Sequence, residues 1–153
     1  MSEHGASIRW AAEGDFRAGR YNRRHEIAFD GGVTITASAS PAIVRPPLSD
    51  PAGVDPEEML VAAVASCHML WFLDLAHRAG HDLAAYRDEA VGELGQTPAG
   101  KIAVTRITLR PALTFAGAAP DAAEIDRLHH EAHERCFIAN SLNSEIVVAP
   151  QGG

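Results

Sequence analysis

Cysteine is scarce in this chain: 153 residues hold two, Cys67 and Cys136. Neither sits in a Cys-x-x-Cys pair, which excludes a zinc ribbon and a thioredoxin-type motif. Positive charge is also in short supply, with 13 Lys and Arg against 20 Asp and Glu and a formal net charge of -7. So acidic a chain is a poor match for nucleic acid or an anionic membrane. The opening MSEHGASIRW has no apolar core of the kind a secretory signal needs. There are no repeats and no low-complexity segment. The longest apolar stretch, Met59 to Ala76, is broken by Ser66, Cys67, His68 and Asp74. A membrane-spanning helix wants about 20 mostly apolar residues with few such breaks. The expectation is therefore a buried helix in a soluble, cytoplasmic protein. In that reducing compartment two cysteines are seldom a structural staple.

What is present suits one domain over residues 1–153, with 46% hydrophobic residues and a single sizeable core. Ile8 to Trp10 opens a strand. Asp30-Gly31-Gly32 then separates His25–Phe29 from an alternating Val33–Ser38, the pattern of a β-hairpin. Residues 39–55 carry Pro41, Pro46, Pro47 and Pro51 and form a long loop. Asp55, Pro56 and Glu58 make a capping box with proline at the first helical position. The helix they open runs to a stop at Gly80 and is apolar nearly all round, so burial on most faces is expected. Two long strands follow, Ala85–Leu94 and Ile102–Phe115, turning around Gly95–Gly100. Pro120 and Asp121 open a second helix with Ile125, Leu128 and Ala132 as its apolar stripe. Glu145–Ala149 is a final strand. The order ββ-α-ββ-α-β predicts an α+β fold with mainly antiparallel pairing.

Cys67 falls in the middle of the first helix. Its neighbours three and four positions away are Ala63, Val64, Leu70 and Trp71, none of them charged. A thiol so placed is inert unless a cation reaches it. Arg23, before the first hairpin strand, and Arg45, in the proline-rich loop, are the candidate cations; Arg17, Arg20 and Arg24 are nearby. Each also reads as an ordinary solvated residue. Cys136 ends the second helix. A bridge to Cys67 needs Cα atoms within about 7 Å, which sequence cannot show. Glu57 precedes Cys67 by ten residues, a rise of about 15 Å on one straight helix, so it cannot touch that sulfur within its own chain. His129 and His133 have a spacing that can bind zinc, but no third ligand stands in a motif-like place, so a polar helix flank is the plainer reading. His68 points about 100° away from Cys67 and is an unlikely base for it.

Pro56-Glu57-Glu58 followed by Ala65-Ser66-Cys67 resembles the signature of the OsmC/Ohr family, in which a Pro-Glu-Glu step precedes an Ala-x-Cys step at this spacing. Cys136, followed by Asn140 and Ser141, is similar to the family's second cysteine segment. The order of elements agrees along nearly the whole chain. His68 departs from the aromatic residue often found there, and Phe137 from a common proline; both bear on the substrate pocket. The resemblance implies antiparallel sheets packed around a long buried helix in an intertwined homodimer with active sites at the subunit interface. It implies a peroxidase for organic hydroperoxides, and less efficiently hydrogen peroxide. Cys67 becomes the peroxide-attacking cysteine and Cys136 its resolving partner. Glu57 holds an arginine, either Arg23 by the Ohr-like placement or Arg45 by the OsmC-like one. A dithiol, for which a lipoylated protein is one candidate, restores the pair. No metal or organic cofactor is required. Two other readings stay open: a non-catalytic relative that holds an apolar ligand in the dimer cleft, and a metal protein using His129 and His133.

Overall fold

A computed structural model describes residues 1–151 of the chain. Its contacts divide into two compact units, Met1–Met59 and Leu60 to the C-terminal end.

The first unit is built from short strands: β1 (Ala6–Arg9), β2 (Gly14–Asp15), β3 (Arg20–Tyr21), β4 (His25–Phe29) and β5 (Thr34–Ala37). The predicted hairpin forms, β4 pairing antiparallel with β5 and placing Ile27 opposite Ile35. β1 adds to the other edge of β4, giving the order β1-β4-β5. The two-residue β2–β3 pair had no expected counterpart, because strands this short leave no alternation to read. The proline-rich segment forms a loop, with a cis bond between Pro46 and Pro47. It leads to α1 (Pro56–Arg78) through a bridge between Ala37 and Val54. The capping box closes as its residues require: the Glu58 N–H donates to Asp55 Oδ1 at 2.7 Å and the Asp55 N–H to Glu58 Oε2 at 3.0 Å.

The second unit carries the body of α1, then β6 (Leu83–Asp88), β7 (Val91–Gln96), β8 (Ile102–Leu109), β9 (Pro111–Phe115), α2 (Ala122–Arg135) and β10 (Glu145–Val148). Here the two expected long strands each divide. β6 pairs with β9, while β7 pairs with β8 in a separate sheet of order β10-β8-β7. Pro111 explains the second break: it has no N–H for a continuous ladder, so the strand restarts in the other sheet. β10 lies parallel to β8 and is the exception in an otherwise antiparallel α+β fold.

α1 differs from expectation in one respect. Within this chain only Val64, His68, Phe72, Leu75 and Ala76 are buried, while Leu70 is 59% exposed and Leu73 38%. One face packs and the rest of an apolar helix does not. Val64 meets Ile107 and Leu109 of β8 in one cluster, and Phe72, Leu75 and Ala76 meet Leu128 and Ala132 of α2 in the other. Gly92 lets the sheet approach closely, since a Cβ there would lie 2.6 Å from Val61 Cγ2. α1 stops at Gly80, whose φ of 80° suits a residue without a side chain. Asp121 caps α2 by accepting the Glu124 N–H at 2.8 Å, and His81 ties the end of the α1 turn to Glu124 at 3.1 Å. α1 and α2 are thus held side by side, and each brings one cysteine to their contact.

Candidate active site

Cys67 sits mid-way along α1, half-buried. Cys136 is the residue at which α2 ends: its N–H still bonds to the His133 carbonyl, but its own backbone is extended, at φ -69° and ψ 107°. Its side chain is wholly buried, and its sulfur accepts the N–H of Ala139 at 3.4 Å from the short 3-10 turn Ala139–Ser141. The Cys67 thiol is a near neighbour, close enough to perturb the ionisation of Cys136. Burial above all pushes the Cys136 thiol up to about 11. The N–H of Ala139 pulls the other way, and the neighbouring Cys67 pushes further up. The Cys136 thiol therefore keeps its proton at neutral pH. Both cysteines are free in this structure.

Aromatic groups rim the pair. Trp71, one turn after Cys67, meets Phe137, the residue after Cys136, edge to face at 5.6 Å and 86°. Phe137 is 68% exposed. The Arg135 guanidinium lies 5.8 Å over the Trp71 ring and 3.7 Å from Glu131. Arg135, next to Cys136 in the chain and not among the expected site residues, thus brings a cation to the Trp71 ring. The signal was its place next to Cys136 and four residues from Glu131.

The other expected site residues lie toward the N-terminus. Arg23 is half-buried in the first unit, its guanidinium 3.8 Å over the Tyr21 ring and its Nη1 donating to the Tyr21 carbonyl at 2.6 Å. Arg45 is exposed in the proline-rich loop of the same unit. Glu57, half-buried, lies in the first turn of α1, where Glu58 is already committed to the cap.

Next to Cys67 the structure places something unforeseen. His68 and His129 are 1% and 3% exposed, with stacked rings 5.3 Å apart and His68 Nε2 3.0 Å from His129 Nδ1. Both are lowered to about 4, by burial first; His129 and His133 add to the effect on His68, and Asp126 opposes it on His129. The pair is neutral near pH 7. His129 thus belongs to the buried face of α2 rather than to a polar flank. The sequence hid this because Leu128 and Ala132 were enough to draw the stripe. Among the described residues, no three His, Cys, Asp or Glu side chains stand ready around a metal ion.

Mainly antiparallel sheets, a long capped helix with a mid-helix cysteine, and a second cysteine brought to it by a late helix define a class, and comparison with known proteins agrees. The model of the OsmC-like protein family matches residues 49–151, and the chain belongs to that family. An OsmC-like protein of unknown function from Vibrio cholerae is 46% identical, with a TM-score of 0.96 over 99% of this chain and 100% of its own. An organic hydroperoxide resistance protein from Elizabethkingia anophelis shares the fold at 17% identity, with a TM-score of 0.70 over 100% of this chain and 98% of its own. The organic hydroperoxide resistance protein OhrB of Bacillus subtilis does so at 18%, with a TM-score of 0.66 over 96% of this chain and 98% of its own. No curated protein matches the chain.

Proposed function

We propose that this chain is a thiol-dependent peroxidase that reduces organic hydroperoxides, with Cys67 as nucleophile and a Cys67–Cys136 disulfide as the recyclable product. The observation that carries this reading is the closeness of the two thiols across the α1–α2 contact.

The chemistry follows in balanced steps. Cys67 thiolate attacks the distal oxygen of the hydroperoxide; the O–O bond breaks, the alkoxide leaves and takes a proton as alcohol, and Cys67 becomes a sulfenic acid. Cys136, on giving up its proton, attacks the Cys67 sulfur, forming S–S and expelling the oxygen as water. A dithiol then reduces the disulfide by exchange and is itself oxidised. A resolving thiol with a high pKa suits this order, because it does not compete for peroxide while protonated. The guanidinium that ionises Cys67 is assigned to Arg23 or Arg45, with Glu57 to orient it. Trp71, Phe137 and Leu70 make the approach apolar, which favours an organic over an inorganic peroxide.

We further infer a homodimer, in which the unpacked face of α1 meets its counterpart. Support comes from that helix itself: 23 residues, mean hydropathy 1.8, and only 28% of its apolar window buried within the chain. By length and composition it would also cross a membrane, but a polar His68 bonded to His129 on its packed face fits a core helix better. The reducing cytoplasm is the matching compartment for two unpaired thiols. Steady-state consumption of cumene hydroperoxide with a dithiol tests the assignment. Cys67→Ser should abolish it; activity at the parent rate in that variant sinks the proposal. Arg23→Ala and Arg45→Ala then tell which cation serves Cys67, by which one slows its alkylation near neutral pH.

A further inference from the structure

One face of α2 carries a cluster that the peroxidase reading does not use. Asp126, His129, His130 and His133 fall at i, i+3, i+4 and i+7, positions that stack along one side of a helix. All four line a pocket of about 230 Å³ whose far wall is Ile146 and Val148 of β10. Its floor is unsatisfied. His129 is 3% exposed, its Nδ1 is engaged with His68, and its Nε2 has no partner; His133 Nδ1 is likewise buried and unpartnered. A buried polar atom left bare costs about 1–3 kcal/mol, and native structures seldom carry one without a reason.

The donor set indicates what would satisfy it. Imidazole nitrogens one helical turn apart, beside a carboxylate, are ligands for a borderline divalent ion. The carboxylate of Asp126 disfavours an anion in the same place. When a metal occupies Nε2, His129 can donate its Nδ1–H to His68, the outer-shell bond that fixes the tautomer of metal-bound histidines. We propose that the Asp126–His129–His130–His133 face of α2 binds a divalent transition-metal ion such as zinc, with His129 and His133 as the inner ligands and Asp126 completing the site. The side chains as they stand do not converge in threes. Asp126 and His130 are exposed and line the same pocket, so either is free to reorient on binding. Because α2 ends at Cys136, the bound ion would also stiffen the helix that presents the second thiol.

The test uses the full chain with Cys67→Ser and Cys136→Ser, so that thiols cannot supply the ligands, and zinc chloride as titrant in a calorimeter. One zinc per chain is expected. His133→Gln should weaken it by about 100-fold or more, and the exposed Asp126→Asn by about 10-fold, set against the 10–100-fold that loss of an outer-shell partner costs. Cobalt(II) in place of zinc should show a ligand-field band that His133→Gln loses. Absence of uptake in the thiol-free protein, or uptake that neither substitution changes, overturns the site. The outcome is independent of whether the protein consumes peroxide.

Discussion

Raising the pH should destabilise this protein through Cys136, and a serine there should remove that part of the loss. The thiol is wholly buried and lifted from 9.0 to about 11. In the unfolded chain it loses its proton near the lower value; in the folded chain it keeps it. The unfolded state therefore gains stability as the pH climbs from 9 toward 11, and the folded state loses ground over that window only. At about 1.4 kcal/mol per pH unit the loss approaches roughly 3 kcal/mol by pH 11. Tyr86, whose hydroxyl is also raised by burial and then by Asp88, adds a similar loss, but only above pH 10. The assay is urea unfolding of the parent and of Cys136→Ser at intervals from pH 8 to 11. The parent midpoint should fall more steeply than the variant's between pH 9 and 10, before the tyrosine contributes. Parallel curves in that interval would refute the reasoning, because they would show Cys136 ionising alike in both states.

Three further outcomes follow. Phe72→Ala, which empties the centre of the α1–α2 cluster, should cost about 3–5 kcal/mol in denaturant unfolding. Asp55→Ala removes the side-chain half of the capping box and should cost about 1 kcal/mol by the same measurement, with the circular dichroism of the folded state unchanged. Leu70→Glu puts a charge on the exposed face of α1 and should shift the proposed dimer to monomer in sedimentation equilibrium; an unchanged mass would remove α1 from the proposed interface.

The elements that the sequence made legible are those governed by local rules. The Asp55–Glu58 box, the Asp30-Gly31-Gly32 turn, the Asp121 cap and the Gly80 stop each depend on a few adjacent residues, and each forms where it was expected. What was not legible depends on partners distant in the chain. The charged Asp88-Glu89 step and Pro111 mark where the two expected strands break, but neither shows that β6 and β7 belong to different sheets. The site behaves the same way. Cys67 and Cys136 stood out as the only thiols, but their closeness is a product of how α1 packs on α2. His129 was invisible as a core residue because its partner, His68, lies on the other helix. Arg135 escaped notice because its neighbour Trp71 is on α1.

The central claim is that peroxide oxidation of one sulfur is resolved by the other within the chain. It is tested most directly by treating the reduced protein with one equivalent of cumene hydroperoxide, followed by alkylation and peptide mass mapping. A peptide pair linked through Cys67 and Cys136, with both free thiols lost together, is the predicted result. Two alkylated, unlinked cysteines after the peroxide has been consumed would contradict it.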